Sequence, residues 1–218
     1  MPSKVLSRTF EPDYPEVGGR LRARRRAKGL SLRELASRLG VSPSLISQIE
    51  RGQARPSVST LFAIVTELDA SLDELLFTDE RTLSDSAAAG TSPPPSAVQE
   101  AATRHHIRLA SGVVWERLTT TSQPGVEFLF VAYDVGGASS PGDTYQSHSG
   151  HEWGYVISGV LEVVIGFDRH VLQPGDAVSL DSSVPHRLTN IGDTPVHAIW
   201  FVMGRDADPR MMDSLPST

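Results

Sequence analysis

The chain has 218 residues, no cysteine and a formal net charge of −6, a length that allows one large domain or two small ones whose cores need no covalent staples. The missing thiols exclude disulfides, thiolate metal sites, a cysteine nucleophile and thiol redox chemistry, so any metal must rest on histidine, carboxylate or amide oxygen. No uncharged apolar run approaches the roughly 18 residues of a membrane span, and the first residues lack the apolar stretch of a signal peptide, so the expectation is a cytoplasmic protein with no membrane partner. The charge is unevenly placed: residues 1–77 hold 12 Lys/Arg and 9 Asp/Glu, whereas residues 78–218 hold 8 and 17. Arg20, Arg22, Arg24, Arg25, Arg26 and Lys28 crowd one short stretch. The chain therefore carries a basic head on an acidic body.

Residues 1–15, with Pro2, Pro12 and Pro15, are expected to form a flexible arm. Residues 16–77 read as five short helices. Ser31 with Glu34 three positions on is a capping box opening a helix whose Leu32, Leu35, Ala36 and Leu39 share one face, and Gly40 can end it in the left-handed conformation. Ser42 caps the next helix, with Pro43 at its first position where the missing N–H costs nothing. In that helix Leu45, Ile46 and Ile49 form an apolar face, while Ser44, Ser47, Gln48 and Arg51 fall on the other. A short-chained Ser/Gln stripe ending in Arg suits close approach to a ligand such as the base edges of a DNA major groove. Leu61, Ile64, Val65 and Leu68 mark a fourth helix after Pro56-Ser57, and Ser71 with Glu74 makes a capping box for a fifth.

From Leu30 to Leu76 the motif run L-S-L-R-E-L-A-S-R-L-G-V-S-P-S-L-I-S-Q-I-E-R-G-Q-A-R-P-S-V-S-T-L, then L-D-A-S-L-D-E-L-L, resembles the helix-turn-helix domain of Cro-like (Xre) phage-repressor regulators. The resemblance implies that the second helix of the pair lies in the major groove with its N-terminal residues on base edges. It thus implies base contacts for Ser44, Ser47 and Gln48, with Pro43 alongside and Gln48 able to pair with adenine. Arg51, Arg22, Arg26 and Arg55 suit phosphates, fixing register without reading sequence. One small module buries little surface, so a homodimer on an inverted-repeat operator in double-stranded DNA is expected.

Residues 78–104 contain Pro93, Pro94 and Pro95 among Ser, Thr, Ala and Asp and read as a Pro/Ser-rich linker. From there to residue 204 the apolar period drops to two. Val113 to Arg117, Val126 to Val135, Gly154 to Phe167, Ala177 to Leu180 and Val196 to Met203 are strand-like runs separated by Gly, Pro and Asn turns. Many short strands without intervening helices mean an antiparallel sandwich or barrel. Residues 205–218 form a patternless tail.

Gln146, His148 and Glu152 share strand parity, so one side of a sheet can collect all three. His148, Glu152 and a distant His186 supply the two histidines and one carboxylate of a facial-triad metal site. The alternatives are histidines that hydrogen-bond within the barrel or that bind an organic ligand directly. The segments Q-S-H-S-G-H-E-W-G-Y-V-I-S-G and P-G-D…P-H-R-L-T-N, over residues 105–204, resemble the two motifs of the cupin superfamily. His148, Glu152, Gly159, Gly175, His186 and Asn190 match its landmarks, Gln146 replaces its first histidine, and Asp181 and Ser183 stand where Pro and Gly are usual. The resemblance implies an all-β jelly roll, or double-stranded β-helix barrel, with one divalent zinc, iron, nickel or manganese ion on His148, Glu152, His186 and Gln146. Tyr145, Tyr155 and Asn190, flanking these segments, are expected to line an effector pocket.

The whole chain resembles bacterial Xre regulators with a C-terminal cupin domain, which implies a sequence-specific DNA-binding transcriptional regulator tuned by a small-molecule effector, with no catalytic residues. The competing reading is a metal-dependent cupin oxygenase, similar to the hydroxypropylphosphonate epoxidase family, with a vestigial helix-turn-helix domain.

Overall fold

The computed structural model describes residues 14–70, 75, 97–121 and 125–204. Four α-helices come first: α1 (Tyr14–Ala27), α2 (Leu32–Arg38), α3 (Pro43–Glu50) and α4 (Val58–Glu67). The five-helix expectation is corrected to four among the described residues; the stretch around Ser71 and Glu74 assigned to the fifth lies outside them, except for Leu75, which is helical and buried. The expected arm, except Tyr14 and Pro15, which begin α1, the bulk of the linker and the tail also lie outside the described residues, and Ala101–Thr103 forms a single 3₁₀ turn ahead of the β domain.

Local chemistry sets these helices. The Ser31 hydroxyl accepts from the Glu34 N–H at 3.2 Å while the Glu34 carboxylate accepts from the Ser31 N–H at 2.7 Å, so two orphan donors of α2 are satisfied reciprocally. At its other end Gly40 takes φ 66°. The N–H groups of Val41 and Gly40 then reach back to the carbonyls of Ala36 and Ser37 at 3.0 and 3.3 Å, closing the helix in a Schellman motif. Ser42 follows immediately, its hydroxyl accepting from the Leu45 N–H at 3.1 Å, with Pro43 as the first residue of α3. Leu35, Ala36, Ile46, Ile49, Leu61 and Ile64 are buried together, and Leu32, Leu39 and Leu45 pack at the edge of that core.

One pair inside the helical domain is ionic. Arg25 of α1 donates Nε and Nη2 to the two Glu50 carboxylate oxygens at 2.6 and 2.9 Å, and Nη1 to the Leu30 carbonyl at 2.7 Å. Both side chains are buried. This bidentate clamp ties α1 to the end of α3.

Nine strands follow: β1 (His106–Leu109), β2 (Val113–Arg117), β3 (Val126–Tyr133), β4 (His151–Ser158), β5 (Leu161–Ile165), β6 (Asp168–Leu172), β7 (Ala177–Asp181), β8 (His186–Asn190) and β9 (Val196–Met203). They form a six-stranded sheet in the order β1-β2-β3-β9-β4-β7 and a three-stranded sheet β6-β5-β8, with antiparallel pairing throughout. The single strand expected from Gly154 to Phe167 is two, broken at Gly159 with φ 83°, and Phe167 is fully exposed in the turn before β6. Alternation decides what faces inward: Leu129, Val131 and Tyr133 from β3, Glu152 and Val156 from β4, and Ala198, Trp200 and Val202 from β9 are all buried.

The two domains touch through the start of α4. The Ser59 N–H donates to the Ser139 carbonyl at 3.2 Å and the Ala110 N–H to the Pro56 carbonyl at 2.9 Å. Val58 and Phe62 are buried and join Trp115, Leu129 and Leu188 around one cavity.

Candidate functional site

The outer face of α3 shows Pro43, Ser44 and Gln48 to solvent, with Ser47 half-buried beside them. Arg51, just after the helix, donates to the Ser47 hydroxyl and, through Nε, to the Gln53 amide oxygen at 2.9 Å. Arg22 and Arg26, one turn apart on α1, and Arg55, between α3 and α4, are exposed. Arg20, Arg25 and Lys28 of the basic run hold the domain together instead. Arg25 is clamped as described, Arg20 donates to the Leu75 carbonyl at 2.7 Å, and Lys28 bonds both the Glu67 carbonyl and the Asp69 carboxylate.

Inside the barrel, three elements bring the His/Glu residues together. Glu152 lies on β4 and His186 opens β8. Gln146 is held by two backbone hydrogen bonds to His186, at 2.9 and 2.8 Å, and the His148 N–H donates to the Ser182 carbonyl at 2.9 Å. As a result Glu152 Oε1 sits 2.9 Å from His148 Nε2 and 3.2 Å from His186 Nε2. Gln146 Nε2 is 3.0 Å from the same His186 nitrogen. All four residues have buried side chains.

The electrostatics of this cluster favour a cation. Burial pushes the Glu152 carboxyl up, but contacts with His148 and His186 outweigh it and hold the group well below the usual carboxylate range. For His186, burial disfavours the charged ring, and the Glu152 contact overrides it and raises the pKa. Each ring turns its Nδ1 toward a carbonyl, His186 to Val184 at 2.9 Å and His148 to Ser149 at 3.3 Å. A neutral ring donating there aims its Nε2 lone pair at the carboxylate, so lone pair faces lone pair unless positive charge lies between. Glu152 Oε1, His148 Nε2 and Gln146 Oε1 are buried with no aligned hydrogen-bond donor. One ligand atom from each of His148, Glu152 and His186 lies within 4.8 Å of the others. The donor set fits a divalent ion on two imidazoles and a carboxylate; Gln146 turns its amide nitrogen to the cluster, and its oxygen becomes a fourth ligand only if the amide flips.

Two residues central to this arrangement escape the sequence reading. The Trp200 indole N–H donates to Glu152 Oε2 at 2.6 Å, committing that oxygen and leaving Oε1 to the imidazoles. Trp200 can lie there because its cross-strand partner is Gly154, where an added Cβ would fall 2.0 Å from the indole ring. Phe62 of α4 stacks on His148, with ring centroids 3.9 Å apart and planes 12° from parallel. The signal for it was present: at about 100° per residue, Val58 and Phe62 stand about 70° and 110° off the centre of the Leu61/Ile64/Val65/Leu68 stripe, beyond what one core needs.

The three expected effector-pocket residues are placed elsewhere. Tyr145 and Tyr155 are 48% and 49% exposed and do not line the cavity. Asn190 is buried, but its amide donates to the Tyr133, Asp134 and Thr194 carbonyls and its oxygen accepts from the Gly192 N–H, a set of bonds that pins the turn after β8. The cavity is lined instead by Val58, Phe62, Trp115, Leu129, Tyr133, Gln146, Glu152, Leu188, Trp200 and Val202.

Residues 21–75 match the helix-turn-helix family and residues 129–202 the cupin domain family. Two proteins of Escherichia coli (strain K12) align across both regions at 26% identity. HTH-type transcriptional regulator PuuR matches over 79% of this chain and 86% of its own length, and HTH-type transcriptional regulator SutR over 81% and 88%. The crystal structure of an HTH_3 family transcriptional regulator from Vibrio cholerae superposes with a TM-score of 0.61 at 21% identity, covering 87% of this chain and 96% of that one. That likeness shows a shared fold for the helical and β-rich parts together.

Proposed function

The chain belongs to the Xre-like helix-turn-helix transcriptional regulators that carry a cupin domain, and we propose that α3 reads an operator while the barrel senses a small molecule. The observation that carries the DNA half is the polar face of α3: Pro43, Ser44 and Gln48 are exposed on a helix whose opposite face, Ile46 and Ile49, is locked in the core. A rigid helix with short side chains outward can enter a major groove about 12 Å wide. Ser44, Ser47 and Gln48 then face base edges, and Arg22, Arg26, Arg51 and Arg55 face phosphates. The working unit is a homodimer on an inverted repeat in the cytoplasm, with residues 16–77 as the reading head, 78–104 as linker and 105–204 as sensor.

In the sensor, His148, Glu152 and His186, with Gln146, would hold one divalent ion, which when bound supplies a positive, ligand-accepting centre. Trp115, Tyr133 and Trp200 give apolar walls around it. We read this domain as a binding module with no catalytic residue of its own. The same His/Glu/His set suits an iron-dependent oxygenase; oxygen uptake by iron-loaded protein, abolished in His186→Ala, is the result that would favour that competing reading.

The test of the DNA reading is fluorescence anisotropy against the DNA flanking the protein's own gene. Gln48→Ala is expected to cost about 1–3 kcal/mol of discrimination between the preferred site and a site mutated at one base pair. Equal discrimination by the variant and the parent would remove α3 from the interface.

A further inference from the structure

Helix α4 is part of the DNA-binding domain, yet it closes the cupin cavity. Phe62 is only 8% exposed. It stacks on His148 and presents its ring to Trp115 at 5.8 Å and 64°, edge to face. The space left among Phe62, Trp115, Leu129, Leu188, Gln146 and Glu152 is about 20 Å³. That holds a water or an ion and excludes an organic molecule, whose pockets run to hundreds of cubic ångströms. An organic ligand in this space has to displace a wall, and the Phe62 ring, stacked on His148 but carried by the other domain, is the wall that can leave as a unit.

The seat left behind has a definite chemistry. It is flat on the His148 side, bounded by the Trp115 ring, and walled by aliphatic side chains next to the polar cluster. A divalent ion held by one carboxylate and neutral imidazoles keeps one positive charge unmatched, so the end of the ligand nearest it is anionic. We propose that the cupin cavity takes a small planar monocarboxylate in the seat of Phe62, and that its binding undocks α4 from the barrel. This rests on the sensor reading given above. Ligand and lid then exclude each other, so occupancy of the barrel and release of the reading head are one equilibrium, and the coupling is reciprocal.

Docking has its own readout. The Ser59 N–H lies in the first turn of α4, where a helix offers it no acceptor, and its bond to the Ser139 carbonyl is made across the domain boundary, as is that from Ala110 to Pro56. The experiment uses the full chain loaded with Co²⁺ and titrated with benzoate. Cobalt absorption reports binding, and hydrogen exchange at Ser59 and Ala110 reports docking. Benzoate is expected to perturb the cobalt spectrum and to speed exchange at both amides in the parent protein. Phe62→Ala, and the gentler Phe62→Leu should the first fail to fold, is expected to bind benzoate about tenfold more tightly, the factor imposed by a lid open about a tenth of the time. Three results would overturn the proposal: no Co²⁺ uptake by parent or variant, equal benzoate affinity in both, or benzoate binding with no change in amide exchange. None of these touches operator binding by α3, which stands or falls in the separate DNA titration.

Discussion

Glu152 has two oxygens with two different duties, and Trp200 assigns them. The indole takes Oε2 at 2.6 Å and leaves Oε1 between His148 and His186. Trp200→Phe keeps most of the packing but frees Oε2 to rotate, so divalent-cation affinity is expected to fall about 10–100-fold. Competition against a chromophoric chelator measures this, and unchanged affinity would show that the hydrogen bond does not orient the carboxylate. Arg25 and Arg22 divide in a similar way. Arg25→Ala strands the buried Glu50 carboxylate and is expected to cost about 3–5 kcal/mol in thermal or denaturant unfolding. Arg22→Ala should leave unfolding nearly untouched and reduce the salt-dependence slope of DNA binding by about 1. The two arginines look alike in the sequence because charge alone marks a residue as surface; only the packing of α1 on α3 separates them. The His148/Glu152/His186 set was legible because ligand types and strand parity are local properties. Tyr145 and Tyr155 were misplaced because nearness in sequence to the site does not fix which face of the barrel a side chain takes.

At the scale of elements, what the sequence revealed best were helix ends. Ser31, Ser42 and Ser57 each cap a helix through their hydroxyl, and such caps need only neighbours within a few residues. Ser42→Ala removes the acceptor for the Leu45 N–H and is expected to cost about 1 kcal/mol, with a matching drop in operator affinity because α3 then frays at the end proposed to meet DNA. Circular dichroism melting checks the first part; an unaltered melt would mean that Pro43 alone sets the helix start. Strands were less legible. β2 and β9 have the expected limits, whereas β1 alternates over only four residues and β6 and β8 carry His, Arg, Asp or Asn at several positions with little apolar pattern. β1 and β6 pair with their neighbours β2 and β5, and β8 pairs with β5 across the intervening β6 and β7, so sheet context more than local pattern makes them strands. Helix α4 serves two cores at once, and its second apolar face makes sense only once the barrel is in place.

The whole molecule joins the helix-turn-helix domain to the cupin domain by two routes, the chain between them and the direct contact through α4. No described helix is long and apolar enough to cross a membrane. The contact through Phe62, with the hydrogen bonds of Ser59 and Ala110, gives the barrel a direct physical path to the helical domain. The fold class was legible from a change of period near residue 105, but the contact between domains was not, since no local pattern encodes which surface of one domain meets another. The measurement that bears most directly on the central claim is a footprint of the full chain on the DNA flanking its own gene. Protection of two inverted half-sites with centres about 34–36 Å apart, or a multiple of that spacing, is the expected result. Binding that shows no preference over unrelated DNA, even at low salt, would contradict the assignment of α3 as a sequence reader.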